Sequence, residues 1–418
     1  MAQENLSEVL FKPQFNYPET SCVVNGHSGD AGAAVGELMD NDNTPGWYRL
    51  LRRAQWAWQG ADPILVESTL AKIAISTQQR SNDALLDTVS DYKPGNWVYE
   101  WMQPAAKLHH EAKAALEQED FTAARKAFYL ASQYYAISGY PHLKGDELAV
   151  QAQALANVCY REAGKLLKCP LKVIEVPFQG KTIQCYLHLA QIEEVSPVVV
   201  VCGSVDVMQL EYYTLFEKHL EPAGMAMLTV DIPGGGYASH YRLDQDSTKV
   251  MQAVVQHLKK VPWIDHDRVA LLGGRLGANL VTRLAYLEPF SIKAAVSLGG
   301  AVDQVFIDEK RFRLLPQMLL DAIASRMEIR SDDKAVMYQF CKIYSLSMQG
   351  LLGRSKTKVP ILSIGHKQDV ICPESDIRKV ANGSFSGETI IIDKPPIFTS
   401  YYRALDQAAE WLKLHLMK

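Results

Sequence analysis

The sequence lacks several features that place proteins in well-defined classes. Its seven cysteines are an odd number without a C-x-x-C spacing, so neither a disulfide framework nor a cysteine-based zinc site is indicated. No apolar run approaches the roughly 18 residues that a membrane-spanning helix needs. The opening residues, MAQENLSEVLFKPQ, contain no basic stretch followed by an apolar one, so we see no secretory signal.

An excess of charge of either sign is also absent. The net charge is −4 and the pI about 6.3, which argues against a nucleic-acid partner. Metal-ligand spacings and a complete phosphate-binding loop are missing, so we predict neither a metal nor a cofactor. With 48% apolar and 22% charged residues, the chain fits a reduced, cytosolic globular protein that contacts no membrane.

Three compositional regimes divide the 418 residues. Residues 1–45 are polar and predict a loosely held N-terminal arm. Residues 46–168 carry apolar side chains at a spacing of three to four, which predicts a helical N-terminal domain. Within it, Asp146 of the turn GYPHLKGD is a candidate helix N-cap. Residues 169–418 form the third regime, where strand patterns begin.

The third regime predicts an α/β-hydrolase fold. LKVIEVPF and TIQCYLHL, joined by QGK, indicate a β-hairpin. Short apolar runs then alternate with helical patterns, as buried parallel strands do; these runs are 197–202, 225–231, 268–274, 293–299, 359–365 and 388–393. A hairpin followed by a β–α series is the element order of that fold, a mostly parallel sheet opened by an N-terminal hairpin. The long helical insertion at about 303–355 predicts a lid.

One motif carries the question of function. Gly273-Gly274-Arg275-Leu276-Gly277 has the glycine spacing of the G-x-S-x-G nucleophile elbow, but arginine occupies the serine position. The positive end of the helix dipole repels a guanidinium at a helix N-terminus, which is therefore unfavourable unless an anion lies beside it. Two interpretations follow: capture of a carboxylate or phosphate ligand, or an internal salt bridge.

The positions at which this fold carries the acid and the base of a catalytic triad hold only one of the two residues. Asp369 follows the strand run 359–365 at the place of the triad acid, while the segment KPPIFTSYYRAL, where the base belongs, has no histidine. The serine–histidine–aspartate mechanism therefore cannot operate at this place. Asp206, at the end of the neighbouring strand, is the expected ion-pair partner of Arg275.

The loop that contains Asp206 also predicts oxyanion and substrate contacts. The backbone around Ser204 and Val205, together with the N–H of Leu276, is positioned to bind an oxyanion. Ser204 is a candidate nucleophile by location only, since loop serines usually form turns. His142 is either a base supplied by the helical region or a turn histidine with local hydrogen bonds. We expect Cys202 to be inert.

The conjunction of several stretches resembles the fermentation–respiration switch protein family, FrsA. The stretches are NLSEVLFKP, WYRLLRRAQWAWQGADP, GNWVYEW, GYPHLKGD, LLGGRLGAN and QGLLGR, and they run from end to end of the chain. The resemblance implies a bacterial cytosolic esterase with a helical N-terminal domain and a hydrolase domain. It also implies a partner, unphosphorylated enzyme IIA of the glucose phosphotransferase system. The family pattern itself carries arginine and aspartate at the positions of Arg275 and Asp206.

The sequence departs from the family pattern near the site. The family elbow is closer to G-F-R-F-G, and its turn usually reads D-M-P-S-V-G, where this chain has DIPGGG at 231–236. The positions of the two elbow aromatics hold Gly274 and Leu276. Three functions stay open from the residues: an esterase with an unorthodox site, a degenerate hydrolase that binds a small carboxylate and a regulatory partner, or cofactor-free chemistry on a 2-oxo acid.

Overall fold

The computed structural model describes residues 37–39, 44–393 and 396–417. Most of the predicted arm, residues 1–45, lies outside these ranges. Within them, none of the helices combines the length and apolar character that a membrane span requires.

A helical region precedes the first strand. Its described helices are α1 (Arg53–Trp58), α2 (Pro63–Ala74), α3 (Trp97–Glu117), α4 (Phe121–Gly139) and α5 (Glu147–Lys165). The side chain of Asp146 accepts a hydrogen bond from the N–H of Ala149 at 3.0 Å, which confirms the predicted N-cap. Trp56 and Trp97 pack against Trp101 with ring centroids 5.6 and 5.7 Å away, so aromatic side chains join α1 to α3.

The predicted hairpin and parallel strands form one sheet of eight strands. They are β1 (Lys172–Phe178), β2 (Lys181–His188), β3 (Ser196–Cys202), β4 (Ala226–Val230), β5 (Ile264–Gly274), β6 (Ala294–Leu298), β7 (Ile361–His366) and β8 (Gly387–Ile392). The order across the sheet is β1-β2-β4-β3-β5-β6-β7-β8. β1 and β2 pair antiparallel, β2 pairs antiparallel with β4, and the remaining pairs are parallel. The fold prediction is confirmed.

Helices connect the parallel strands and cover the sheet. They are α6 (Tyr213–Leu215, flanked by a 3₁₀ turn and a π turn), α7 (Thr248–His257), α8 (Leu276–Leu287), α9 (Gln304–Ile307), α10 (Glu309–Arg313), α11 (Gln317–Met327), α12 (Lys334–Cys341), α13 (Glu374–Asn382) and α14 (Ile397–Leu416). Helices α9 to α12 lie between β6 and β7, inside the stretch for which a lid was predicted.

The order of the strands determines where a site can form. From β3 the chain moves to β4 on one side, and then returns to β5 on the other side of β3. Loops leaving β3 and β5 therefore diverge at their carboxyl ends, and this switch point is where open α/β sheets bind ligands. The loop after β3 contains Asp206, and the turn after β5 contains Arg275.

Candidate active site

The turn between β5 and α8 has the backbone geometry of a nucleophile elbow. Arg275 has φ 53° and ψ −116°, a backbone conformation that is energetically costly for any residue other than glycine. Two hydrogen bonds hold it: its N–H donates to the carbonyl of Leu298 at 3.0 Å, and its carbonyl accepts from the N–H of Ala301 at 3.1 Å. The strained backbone persists although serine is absent.

The glycine spacing of the elbow is a steric requirement. A Cβ at Gly273 would lie 2.5 Å from the Cα of Ala278, and a Cβ at Gly277 would lie 2.3 Å from the carbonyl oxygen of Cys202. Neither position accommodates a side chain, because the start of α8 packs directly on β5 and on the loop after β3. At Gly274 the nearest atom to a Cβ would be the hydroxyl of Tyr212 at 3.9 Å, so that position has room.

The side chain of Arg275 forms a buried ion pair with the aspartate at the acid position. Its Nη1 lies 2.8 Å from Oδ2 of Asp369, and both side chains are almost fully buried. Asp369 also accepts hydrogen bonds from the N–H groups of Met39, Ile371 and Cys372, at 2.8, 2.7 and 3.0 Å. The carboxylate thus supplies the anion that a guanidinium at a helix N-terminus requires.

The expected pairing of Arg275 with Asp206 is wrong. Asp206 instead accepts a hydrogen bond from Nη2 of Arg52 at 2.6 Å, and this pair is also buried. The guanidinium of Arg52 lies 4.8 Å from the ring centroid of Tyr140. Since 154 positions separate Arg52 from Asp206, no local pattern indicated that the helical region provides this partner.

One oxygen of Asp206 has no hydrogen-bond donor among the residues that the structure describes. The atom Oδ1 is buried and makes no hydrogen bond within the described part of the chain. A buried carboxylate oxygen without a donor is unfavourable and needs an explanation, for instance a catalytic role or a bound water. Asp206 is therefore held on one side by Arg52 and left with an open acceptor on the other.

Among the described residues, two small cavities meet at the elbow, and both are lined by Ser204 and Arg275. The first, the lid cavity, has a volume of about 40 Å³ and is lined by Val205, Asp206 and Leu276 together with apolar side chains of α9 and α11. The second, the elbow cavity, has a volume of about 60 Å³. The structure therefore brings all of the predicted site residues around one junction, Asp369 through its contact with Arg275.

The oxyanion positions predicted from the sequence line the lid cavity. The N–H groups of Val205 and Leu276 make no hydrogen bond to another described residue, so they are available to an oxyanion. The carbonyl of Val205 accepts hydrogen bonds from Nε and Nη2 of Arg326 at 3.1 and 2.9 Å. Arg326 therefore holds the peptide group between Val205 and Asp206, the one that follows the N–H of Val205.

A carboxyl group that sequence reasoning missed lies beside the elbow. Glu211 lines the elbow cavity, and its Oε1 accepts a hydrogen bond from the N–H of Met208 at 2.7 Å. Burial raises the pKa of Glu211 to about 7. The side-chain amide of Gln59 in the helical region donates to the backbone carbonyl of Glu211 at 3.0 Å, so a distant segment of the chain contacts this residue.

His142 does not satisfy its nitrogens locally, contrary to one of the two interpretations. It is buried, and neither ring nitrogen makes a hydrogen bond within the described residues. Burial, followed by the charges of Arg326 and Arg52, lowers the pKa of His142 to about 3, so the ring is neutral at pH 7. Its Nε2 lies 3.9 Å from Oε1 of Glu211, which is beyond hydrogen-bond distance.

The remaining candidates have no catalytic surroundings. The described part of the segment at the base position, from residue 396, contributes Tyr401 and Tyr402 to the elbow cavity. Burial raises the pKa of the Cys202 thiol well above its usual range, which agrees with the expectation that it is inert.

Comparison with known proteins shows the family of the chain. A family model described as FrsA-like, "Esterase FrsA-like", matches residues 1–417. Esterase FrsA of Photobacterium profundum is 42% identical over 412 residues, which cover 99% of this chain and 98% of that protein. Esterase FrsA of Serratia proteamaculans is 40% identical over 415 residues, 99% of each chain.

Solved structures with lower identity share the architecture. The structure of 2,6-dihydroxy-pseudo-oxynicotine hydrolase superposes with a TM-score of 0.69 at 20% identity, covering 87% of this chain and 95% of that one. AbyA5 superposes with a TM-score of 0.61 at 17% identity, covering 77% and 93%. At these identities the likeness concerns the fold alone. From the match along its whole length and the retained elbow, the chain belongs to the FrsA-like esterase family, within the α/β-hydrolase fold.

Proposed function

We propose that this protein hydrolyses small carboxylic esters at the junction of the lid and elbow cavities, with water as the nucleophile. The observation that carries the proposal is the open acceptor Oδ1 of Asp206, in the same cavity as the N–H groups of Val205 and Leu276. An acceptor for a water proton and two donors for an oxyanion are the groups that ester hydrolysis needs when serine and histidine are missing.

In the proposed reaction, Asp206 accepts a proton from a water molecule as the water oxygen bonds to the ester carbonyl carbon. The N–H groups of Val205 and Leu276 bind the resulting oxyanion. The carbon–oxygen bond to the alcohol then breaks, and the proton passes from Asp206 to the departing alkoxide, which leaves a carboxylic acid and an alcohol. Arg52 keeps Asp206 oriented, and Arg275 adds positive potential in a site shielded from water.

The buried pair of Arg275 and Asp369 makes the two alternative functions less well supported. Capture of a carboxylate ligand, or chemistry on a 2-oxo acid held by Arg275, would either bring a second anion beside Asp369 or displace Asp369, the present partner of the guanidinium. That partner lies at 2.8 Å and is itself fixed by three backbone N–H groups. Breaking such a pair costs about 3–5 kcal/mol.

Hydrolysis of p-nitrophenyl acetate and butyrate tests the proposal. We expect Asp206→Asn to reduce kcat about 100-fold or more, because the amide cannot accept the proton. The matched control Ser204→Ala keeps the rate, since water attacks. A rate unchanged in Asp206→Asn contradicts the assignment of the base. A burst of nitrophenol that Ser204→Ala abolishes would instead identify serine as the nucleophile, and absence of turnover in the wild type would retire esterase activity on these substrates.

We also propose a cytoplasmic location and a regulatory role between fermentation and respiration, through unphosphorylated enzyme IIA of the glucose phosphotransferase system. The resemblance of the chain to its family is the support for this role. Calorimetric titration with the phosphorylated and unphosphorylated forms of enzyme IIA tests it. Binding confined to the unphosphorylated form supports the role, and equal binding or none contradicts it.

A further inference from the structure

A large groove lies away from the active site, between the helical region and the β-hairpin. It has a volume of about 930 Å³ and is lined by α5, by β1 and β2, and by the glycine-rich turn at 233–240. This volume is in the range of pockets that bind small organic molecules. We call it the distal groove.

The central charged group of the distal groove has only neutral partners among the described residues. The guanidinium of Arg161 donates to Oε1 of Gln184 at 2.6 Å and to the hydroxyl of Tyr237 at 2.5 Å. It also donates to the hydroxyl of Tyr186 at 3.3 Å. No carboxylate of the described residues forms an ion pair with it. A half-buried guanidinium whose charge is not compensated attracts an anion, and its planar donor set fits a phosphate or a carboxylate.

The arginine is fixed before any ligand arrives. The ring of Tyr237 lies 5.4 Å from the guanidinium carbon, and the hydroxyl of Tyr186 donates onward to Oδ1 of Asn157 at 2.7 Å. The carboxylate of Asp231 accepts from the N–H of Tyr237 at 2.8 Å and so holds the glycine-rich turn. A preorganised donor loses little conformational entropy when it binds a ligand.

The surroundings of Arg161 are electropositive and leave polar groups unused. Lys144, Lys181 and Arg326 also line the groove, and Glu175 is the carboxylate among its lining residues. Lys144 is matched by Glu328 at 2.5 Å, whereas Lys181 donates to a backbone carbonyl, that of His240. The buried ring of His142, which lines the same groove, makes no hydrogen bond within the described chain.

We propose that the distal groove binds a small organic anion whose phosphate or carboxylate group is held by Arg161 and Lys181, with a hydroxylated body along the tyrosine and amide side chains. This site is separate from the elbow and does not depend on esterase activity. Arg326 connects the two places, because it lines the groove and also holds the carbonyl of Val205.

Isothermal titration of the full chain with inorganic phosphate, glycerol 3-phosphate and citrate tests the proposal, at constant ionic strength set with sodium chloride. We expect at least one of these probes to bind below about 10 mM, and Arg161→Gln to weaken that binding about tenfold or more. Arg125→Gln is the matched control: Arg125 is also half-buried at the edge of the helical region, but it lies 4.0 Å from Glu217. We expect Arg125→Gln to bind the probe with the affinity of the wild type.

Arg161→Lys is a second variant that keeps the charge, and we expect it to retain more affinity for the probe than Arg161→Gln. Melting curves verify that both variants are folded. A preference for phosphates or for citrate identifies the anionic group. Absence of binding for all three probes, or equal losses in Arg161→Gln and Arg125→Gln, would overturn the proposal.

Discussion

Replacing Glu211 by glutamine isolates the energetic effect of one buried carboxyl beside the elbow. Glutamine has nearly the same shape, and its carbonyl oxygen can accept the hydrogen bond that Met208 donates at 2.7 Å. The substitution therefore removes the ionisable proton and leaves the packing in place. What changes is the pH dependence of the free energy of unfolding.

The magnitude follows from the displaced pKa. Burial moves the pKa of Glu211 from its ordinary value of 4.5 to about 7, and each pH unit of displacement is worth about 1.4 kcal/mol. Because the folded state binds this proton more tightly, the contribution of Glu211 to stability is fully present below pH 4.5 and is lost as the pH rises through 7. Relative to the wild type, Glu211→Gln should gain about 2–3 kcal/mol between pH 5 and pH 8.

Urea unfolding at a series of pH values measures this gain. Subtracting the wild-type curve from that of Glu211→Gln cancels the titration of all other groups that are not coupled to Glu211. Glu217→Gln is a suitable control on the same helical segment, because the Glu217 side chain is 43% exposed and surface substitutions usually change stability by less than about 0.5 kcal/mol. If the free energy of unfolding of Glu211→Gln minus that of the wild type stays flat with pH, or falls as the pH rises, the argument that burial disfavours the charged form of this carboxyl is refuted.

Two further predictions concern the elbow. Gly277→Ala should destabilise the protein by about 3 kcal/mol or more, since its Cβ would lie 2.3 Å from the Cys202 carbonyl. Gly274→Ala should change the stability by less than about 1 kcal/mol. Equal effects of the two substitutions in thermal melts would contradict the steric interpretation of the motif. Arg275→Met should lower the free energy of unfolding by about 3–5 kcal/mol, because Asp369 is left charged and buried. Adding Asp369→Asn to the same chain should recover part of this loss. Purely additive losses in urea unfolding would show that the pair is not coupled.

The centre of the sheet was predictable because β3, β4, β6 and β7 are buried on both faces. Such strands read as uninterrupted Val, Ile and Leu runs, and the six predicted runs match β3 to β8 within a few residues. The elbow was predictable for a different reason. Gly273 and Gly277 are dictated by close contacts at the start of α8, so the motif shows in the sequence even though Arg275 replaces serine.

The charge partners of the site were not predictable in the same way. Asp206 and Asp369 both follow strands near Arg275, and their local sequences give no basis for choosing between them. Arg52, which immediately precedes α1 in the helical region, pairs with Asp206 and leaves Asp369 as the partner of Arg275. Glu211 was missed because nothing in its local sequence distinguishes it from an exposed glutamate, and a side chain that contacts its backbone, Gln59, arrives from a remote segment.

The contact between Arg52 and Asp206 also bears on how such a protein can evolve. The helical region supplies the counterion of a carboxylate that lies in the hydrolase sheet, so a change at either position leaves an unmatched charge in the interior unless the other position changes with it. Related chains should therefore exchange these two residues together. A gene fusion that joined this sheet to a helical region without an arginine at this place would leave Asp206 without its counterion, so the two parts should be exchangeable only together.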